Sequence, residues 1–194
     1  MDKPAKQDFP IIHFKSPKHF AKWLAANHTK QNGVWLQFFK KDSGVETITY
    51  AGALDEALCY GWIDGQVKKH DSQSWLHKFT PRRPKSIWSK RNIEHIERLI
   101  AEQRMKPPGL KEVEAAKQDG RWQRAYDSPG KMEVPEDFLA ILSKHKKAKA
   151  FFETLNRANV YAITWRLQTA VKPETRTKRM EAILQMLKKG EKFH

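Results

Sequence analysis

The chain has 194 residues, 39% of them hydrophobic and 30% charged, and its 37 Lys and Arg against 22 Asp and Glu leave a net charge of +15. Seven Trp and ten Phe supply enough apolar surface for a core, which excludes a disordered chain. No apolar run approaches the ~18 to 20 residues that a membrane span needs, and Met1-Asp2-Lys3-Pro4 lacks the apolar stretch of a secretory signal, so a cytoplasmic protein without membrane insertion is expected.

Met1 to Phe9 is polar and reads as a loose lead-in. Ser16-Pro17 has the chemistry of a helix start, with the Ser hydroxyl placed to accept from a first-turn amide, and Phe20, Trp23 and Leu24 follow at helical spacing. After Asn32-Gly33 the run Val34 to Phe39 alternates as a strand does, with Val34, Leu36 and Phe38 on one side. From Thr49 the period is helical again, with Tyr50, Ala53, Leu54, Ala57 and Leu58 in one stripe and Gly61 suited to a left-handed cap. Two extended runs, Trp62 to Lys68 and Ser74 to Phe79, flank a polar connection of hairpin length. A long helix is expected from Ser86 or Ser89 to Met105, stopped by Pro107-Pro108-Gly109, and a shorter one from Leu110 to Asp119.

Asp127-Ser128-Pro129-Gly130 combines turn-forming residues and is the expected boundary. Beyond it Pro135 to Ser143, Lys146 to Asn156, Asn159 to Ala170 and Pro173 to Lys189 all show helical spacing. The expectation is an α+β domain over residues 1–130, built on a small antiparallel sheet with segregated helices, followed by a helical C-terminal domain over residues 131–194.

Five basic residues and no acid lie between Arg82 and Arg91. Arg82 and Arg83 follow a strand, Pro81 and Pro84 stiffen the segment, and Lys85, Ser86 and Ser89 lie at the expected helix start. Guanidinium forks, helix amides and hydroxyls converging there would make a phosphate or carboxylate pocket, with Trp62 and Trp88 as a flat wall. The competing reading is a solvated basic surface with Trp88 in the core. In Gly61-Trp62-Ile63-Asp64-Gly65 the carboxylate has a functional and a structural reading as well: it orients Arg82 or Arg83 or accepts a proton from a bound ligand, or it caps a turn. Lys68, four residues on, returns to the face of Asp64 under strict alternation, where an ion pair would form.

Eight histidines are scattered without metal-ligand spacing, and Glu94, His95 and Glu97 are expected on the exposed rim of their helix. No bound metal or cofactor is expected. Cys59, the single cysteine, permits no internal disulfide and reads as a small core residue. Charge rises along the chain: +3 over residues 1–80, +5 over 81–130 and +7 over 131–194. Lys144, Lys146, Lys147 and Lys149 form one cluster, and Lys172, Arg176, Lys178 and Arg179 another. Basic helices of this kind suit a polyanion, including a nucleic-acid backbone read without base specificity.

The motifs Gly61-Trp62-Ile63-Asp64-Gly65, Phe79-Thr80-Pro81-Arg82-Arg83-Pro84-Lys85-Ser86, Trp88-Ser89 and Asp119-Gly120-Arg121-Trp122, in that order, resemble those of the YdeI/OmpD-associated family. The likeness continues through Ala125-Tyr126-Asp127 to Lys172-Pro173-Glu174-Thr175-Arg176 in the tail. It implies a role in bacteriocin or envelope-stress protection and names no ligand. The order of elements in the first part is similar to that of the YjbR-type and frataxin-like proteins, a fold-level analogy. The combined expectation is a non-enzymatic protein that binds an anionic small molecule or a polyanion. A nucleic-acid binder and an enzyme acting on a phosphate- or carboxylate-bearing substrate are the alternatives, and the oligomeric state is open.

Overall fold

In the computed structural model, residues 9–128 and 130–194 are described; most of the polar lead-in, and Pro129 of the expected boundary, lie outside them. The elements run β1 (Ile11–His13), α1 (Pro17–Asn27), β2 (Val34–Phe39), α2 (Tyr50–Cys59), β3 (Trp62–Lys69), β4 (Ser74–Pro81), α3 (Lys90–Ala101) and α4 (Pro107–Gln118). Four further helices follow: α5 (Glu136–Ser143), α6 (Lys146–Glu153), α7 (Arg157–Gln168) and α8 (Pro173–Lys188). The fold is mixed, with a four-stranded sheet and a helical carboxy-terminal segment.

The sheet has the order β1-β2-β4-β3. Strands β2, β4 and β3 pair antiparallel, as expected, while β1 joins the edge of β2 in parallel. Three residues are too few to show alternation, and β1 is absent from the sequence reading for that reason. The β3–β4 turn is tied by Asp71, whose Oδ1 accepts from the amides of Gln73 (2.8 Å) and Ser74 (2.7 Å).

Val34, Leu36 and Phe38 alternate inward along β2 and join Phe20 and Leu24 of α1, Ala53 and Ala57 of α2, and Phe79 of β4 in one core. Each large side chain enclosed there contributes about 1.5–3 kcal/mol. Proline opens α1 as expected, but Ser16 makes no side-chain cap; its hydroxyl lies 3.3 Å from Nδ1 of His19 instead. Thr49 does cap α2, accepting from Gly52 N at 3.1 Å. Gly61 ends that helix in the left-handed region at φ +73°, and a Cβ there would stand 3.0 Å from the Pro108 carbonyl.

Two features of the third helix differ from the sequence reading. Trp88 O accepts from Tyr126 N and Lys90 N donates to Tyr126 O, so residues 88–89 are held extended in a short bridge and α3 begins only at Lys90. It ends at Ala101, followed by Gln103 at φ +56°, and Pro107-Pro108 opens α4 instead of stopping α3.

The chain divides into two compact units: residues up to Ser86 together with Asn92–Gln123, and Ile87–Arg91 together with Arg124–His194. The second unit has its own core, in which Phe138, Leu142, Ile163, Leu167, Ile183 and Leu187 are almost fully enclosed. No described helix is long and apolar enough to cross a membrane.

Candidate anion-binding site

Strand β4 ends at Pro81, and the Arg82 amide donates to the Gly61 carbonyl at 2.9 Å, which places Arg82 beside the glycine that opens β3. Arg82 is buried at 6% exposure. The next four residues form a turn closed by Ser86 N donating to Arg83 O at 3.0 Å. Pro84 takes the second position and Lys85 the third, at φ +64°, the left-handed conformation that a type II turn normally assigns to glycine. A non-glycine residue there costs about 1 kcal/mol or more, and such strain concentrates at functional loops.

The side chains of Arg83 and Lys85 project into solvent, whereas Ser86 is half-buried. Its Oγ is enclosed and has no hydrogen-bond partner among the described residues. Arg121 braces the turn from behind: its Nη1 donates to Ser86 O at 3.0 Å while its Nε donates to Asp119 at 2.7 Å. Two exposed cations and a bare hydroxyl are thereby fixed on a short, stiff segment.

The expected aromatic wall is not there. Trp62 is 1% exposed within the first core, edge-on to Trp23 with ring centroids 5.8 Å apart, and its Nε1 donates to His28 O at 3.3 Å. Trp88 is also 1% exposed, in the second unit. An indole enclosed on both faces has none to offer a ligand, so both serve the cores. Ser89 is 9% exposed and occupied in the bridge to Tyr126. With α3 starting at Lys90, Ser86 does not open that helix.

Asp64 enters a different constellation from the expected one. Its Oδ2 accepts from the Tyr50 hydroxyl at 2.9 Å and lies 3.6 Å from His77 Nε2. The Tyr50 and His77 rings stack nearly parallel, 4.9 Å apart. Burial would raise the Asp64 carboxyl, but the neighbouring His77 ring and the Tyr50 hydrogen bond outweigh it and hold the group below its ordinary value. Tyr50 opens α2, and His77 occupies an inward position two residues before Phe79 in β4. A polar ring at a core-facing strand position is the signal in the sequence that points to them.

Lys68 does not pair with Asp64. The β3–β4 register shifts between Asp64 and Val67, so one extra residue in β3 reverses the alternation beyond it. Lys68 lands on the opposite face, its Nζ 4.3 Å from the Trp35 ring centroid.

A second polar cluster is structural in character. Arg98 Nη2 donates to both carboxylate oxygens of Asp55 at 2.7 Å, His95 Nδ1 lies 2.8 Å from Asp55, and Arg104 joins Glu56 (2.7 Å) to Glu102 (3.0 Å). His95 is therefore turned inward, away from the exposed rim that its helical spacing predicts. Cys59, beside this cluster, is buried, and desolvation pushes its thiol up to about 11, which keeps it protonated.

Residues 12–112 match the family model described as "Domain of unknown function (DUF8412)". Residues 131–190 match the model described as "Bacteriocin-protection, YdeI or OmpD-Associated". The family resemblance is thus borne out in the tail, while the Gly61–Gly65 and Phe79–Ser86 motifs fall within the other model. Among curated proteins, an enolase-phosphatase E1 of Neurospora crassa is 29% identical over an alignment of 126 residues that covers 61% of this chain and 52% of that protein. The chain therefore spans about half the length of the curated relative it matches. No solved structure matches. By these matches the chain belongs to the DUF8412 family over the part that holds the sheet and the cationic turn, and it carries a YdeI/OmpD-associated segment as its tail.

Proposed function

We propose that the protein is a non-enzymatic anion binder of the YdeI/OmpD-associated type, which holds a phosphate or carboxylate group at the turn formed by residues 83–86. The supporting observation is the exposure of Arg83 and Lys85 beside a Ser86 hydroxyl that is buried and unpartnered. An anion oxygen would gain two charge-assisted hydrogen bonds from the exposed heads, and a rotation of the Ser86 side chain would bring its unpartnered hydroxyl to the same anion. Trp62, Trp88 and Lys68 have no part in this site. The role in bacteriocin or envelope-stress protection is indirect, because a chain of charge +15 repels cationic peptides.

Calorimetric titration with inorganic phosphate and with pyrophosphate tests the site. The parent should bind saturably, and the Arg83→Ala, Lys85→Ala double variant should bind at least about tenfold more weakly, with Ser86→Ala in between. Equal binding by parent and double variant, or stress tolerance equal to that of the parent in cells, would sink the proposal.

One observation favours a second reading, backbone-directed nucleic-acid binding. Lys144, Lys146, Lys147 and Lys188 line one open depression in the second unit. Neutralising about four phosphates predicts a log-log salt slope near −3 to −4 for duplex binding, and a flat response removes this reading. The enzyme alternative leans on the Tyr50–Asp64–His77 cluster, and a turnover screen on phosphate and carboxylate esters with Asp64→Asn as control decides it.

A further inference from the structure

The second unit contains a hollow of about 360 Å³ between α7, α8 and the segment that follows α8. Its walls are Trp165, Ile183, Met186 and Phe193, and its polar groups are the guanidiniums of Arg166 and Arg179. The size falls within the range of small-molecule sites, as does the chemistry of a mostly apolar lining with a few convergent polar groups.

Both guanidiniums are held in place by the protein. Arg166 Nη1 donates to Ala162 O at 2.9 Å, and the guanidinium carbon sits 3.7 Å from the Phe193 ring centroid. Arg179 Nη1 donates to Arg166 O at 2.6 Å and to Thr169 Oγ1 at 3.2 Å. Phe193 is itself fixed, since the buried Asn159 accepts from the amides of Phe193 (3.1 Å) and His194 (3.0 Å). No carboxylate pairs with either arginine among the described residues, and the Nε and Nη2 donors of both forks have no protein partner there. Two cations with part of their hydrogen-bonding capacity unused, already immobilised at an apolar hollow, have little more order to lose on binding.

The complement of this arrangement is a molecule with one apolar body and one carboxylate. We propose that the hollow binds a small apolar carboxylate, its body against Trp165, Ile183, Met186 and Phe193 and its carboxylate on the Arg166 and Arg179 forks. An inorganic anion gains nothing from the four apolar walls, and an uncharged amphiphile leaves the forks unanswered. This site shares no residue with the cationic turn, and neither stands or falls with the other.

Octanoate is the probe, followed by amide chemical shifts of the full chain, with octanol, octylamine and inorganic phosphate as comparators. Saturable shifts should gather in α7, α8 and Phe193 with octanoate, and octanol should bind at least about tenfold more weakly. Arg179→Met should weaken octanoate by a similar factor. Ala182→Trp, at an exposed position on the lip, should obstruct the hollow while leaving the helical spectrum intact. The Arg83→Ala, Lys85→Ala variant should keep the octanoate shifts in α7, α8 and Phe193, whatever it loses at residues 83–86. The proposal is overturned if octanol equals octanoate, if Arg179→Met and Ala182→Trp both bind like the parent, or if the shifts scatter over the whole chain.

Discussion

Asp64 shows how a single side chain can serve the fold and carry a titration signature. Its folded-state value is depressed, so its contribution to stability is fully present above the ordinary carboxylate value and is lost as pH falls through the folded one. Urea unfolding followed from pH 6 down to about 2 should show a steeper loss for the parent than for Asp64→Asn. Tyr50→Phe, which removes the 2.9 Å donor, should move the acid limb toward higher pH. Superimposable pH profiles for the three proteins would contradict the assignment. Lys85 is a second residue with a clear physical character, since its left-handed backbone is retained without the glycine that such a turn favours.

At the level of elements, the strongly periodic segments are legible in the amino-acid order itself. The bounds of β2 match the Val34 to Phe39 alternation, and α5 to α8 begin and end within a few residues of the expected runs, because each has its own stripe of apolar residues. What eludes a reading of the sequence depends on distant partners. The late start of α3 needs Tyr126, and the reversal at Lys68 needs the register of β4. Trp62 and Trp88 carry no mark in the sequence that distinguishes a core indole from a stacking one. The cationic turn is legible as a charge cluster, but the Tyr50–Asp64–His77 contact joins a helix start to two strands and is not.

The reversal of Pro107-Pro108-Gly109 from stop to start has an energetic counterpart. A Cβ at Gly109 would approach the carbonyl oxygens of Cys59 and Leu58, the latter at 2.7 Å, so α4 can lie against the end of α2 only with glycine there. Gly109→Ala should therefore destabilise the protein by roughly 2 kcal/mol or more. Gly44→Ala, at φ +71° with open space around it, should cost about 1 kcal/mol from backbone strain alone. Chemical denaturation of the pair separates the two causes, and equal losses would refute the close-approach argument.

For the whole molecule, two units with separate cores imply that damage to one core need not propagate at once to the other. Phe138 is wholly enclosed in the second unit, and Phe138→Ala should cost about 3–5 kcal/mol there. Hydrogen exchange on the full chain should show the protection of α5 to α8 falling well before that of β2 and β4. A uniform loss across both units would show that they unfold as one. The sheet also has two rims, and neither invites a visiting strand. One rim is only three residues long, and the other, β3, is kinked by its extra residue and studded with Lys68 and Lys69. A neighbouring chain that approached edge-on would meet a bent ladder and repelling ammonium groups, so the molecule has a built-in defence against fibril growth when crowded.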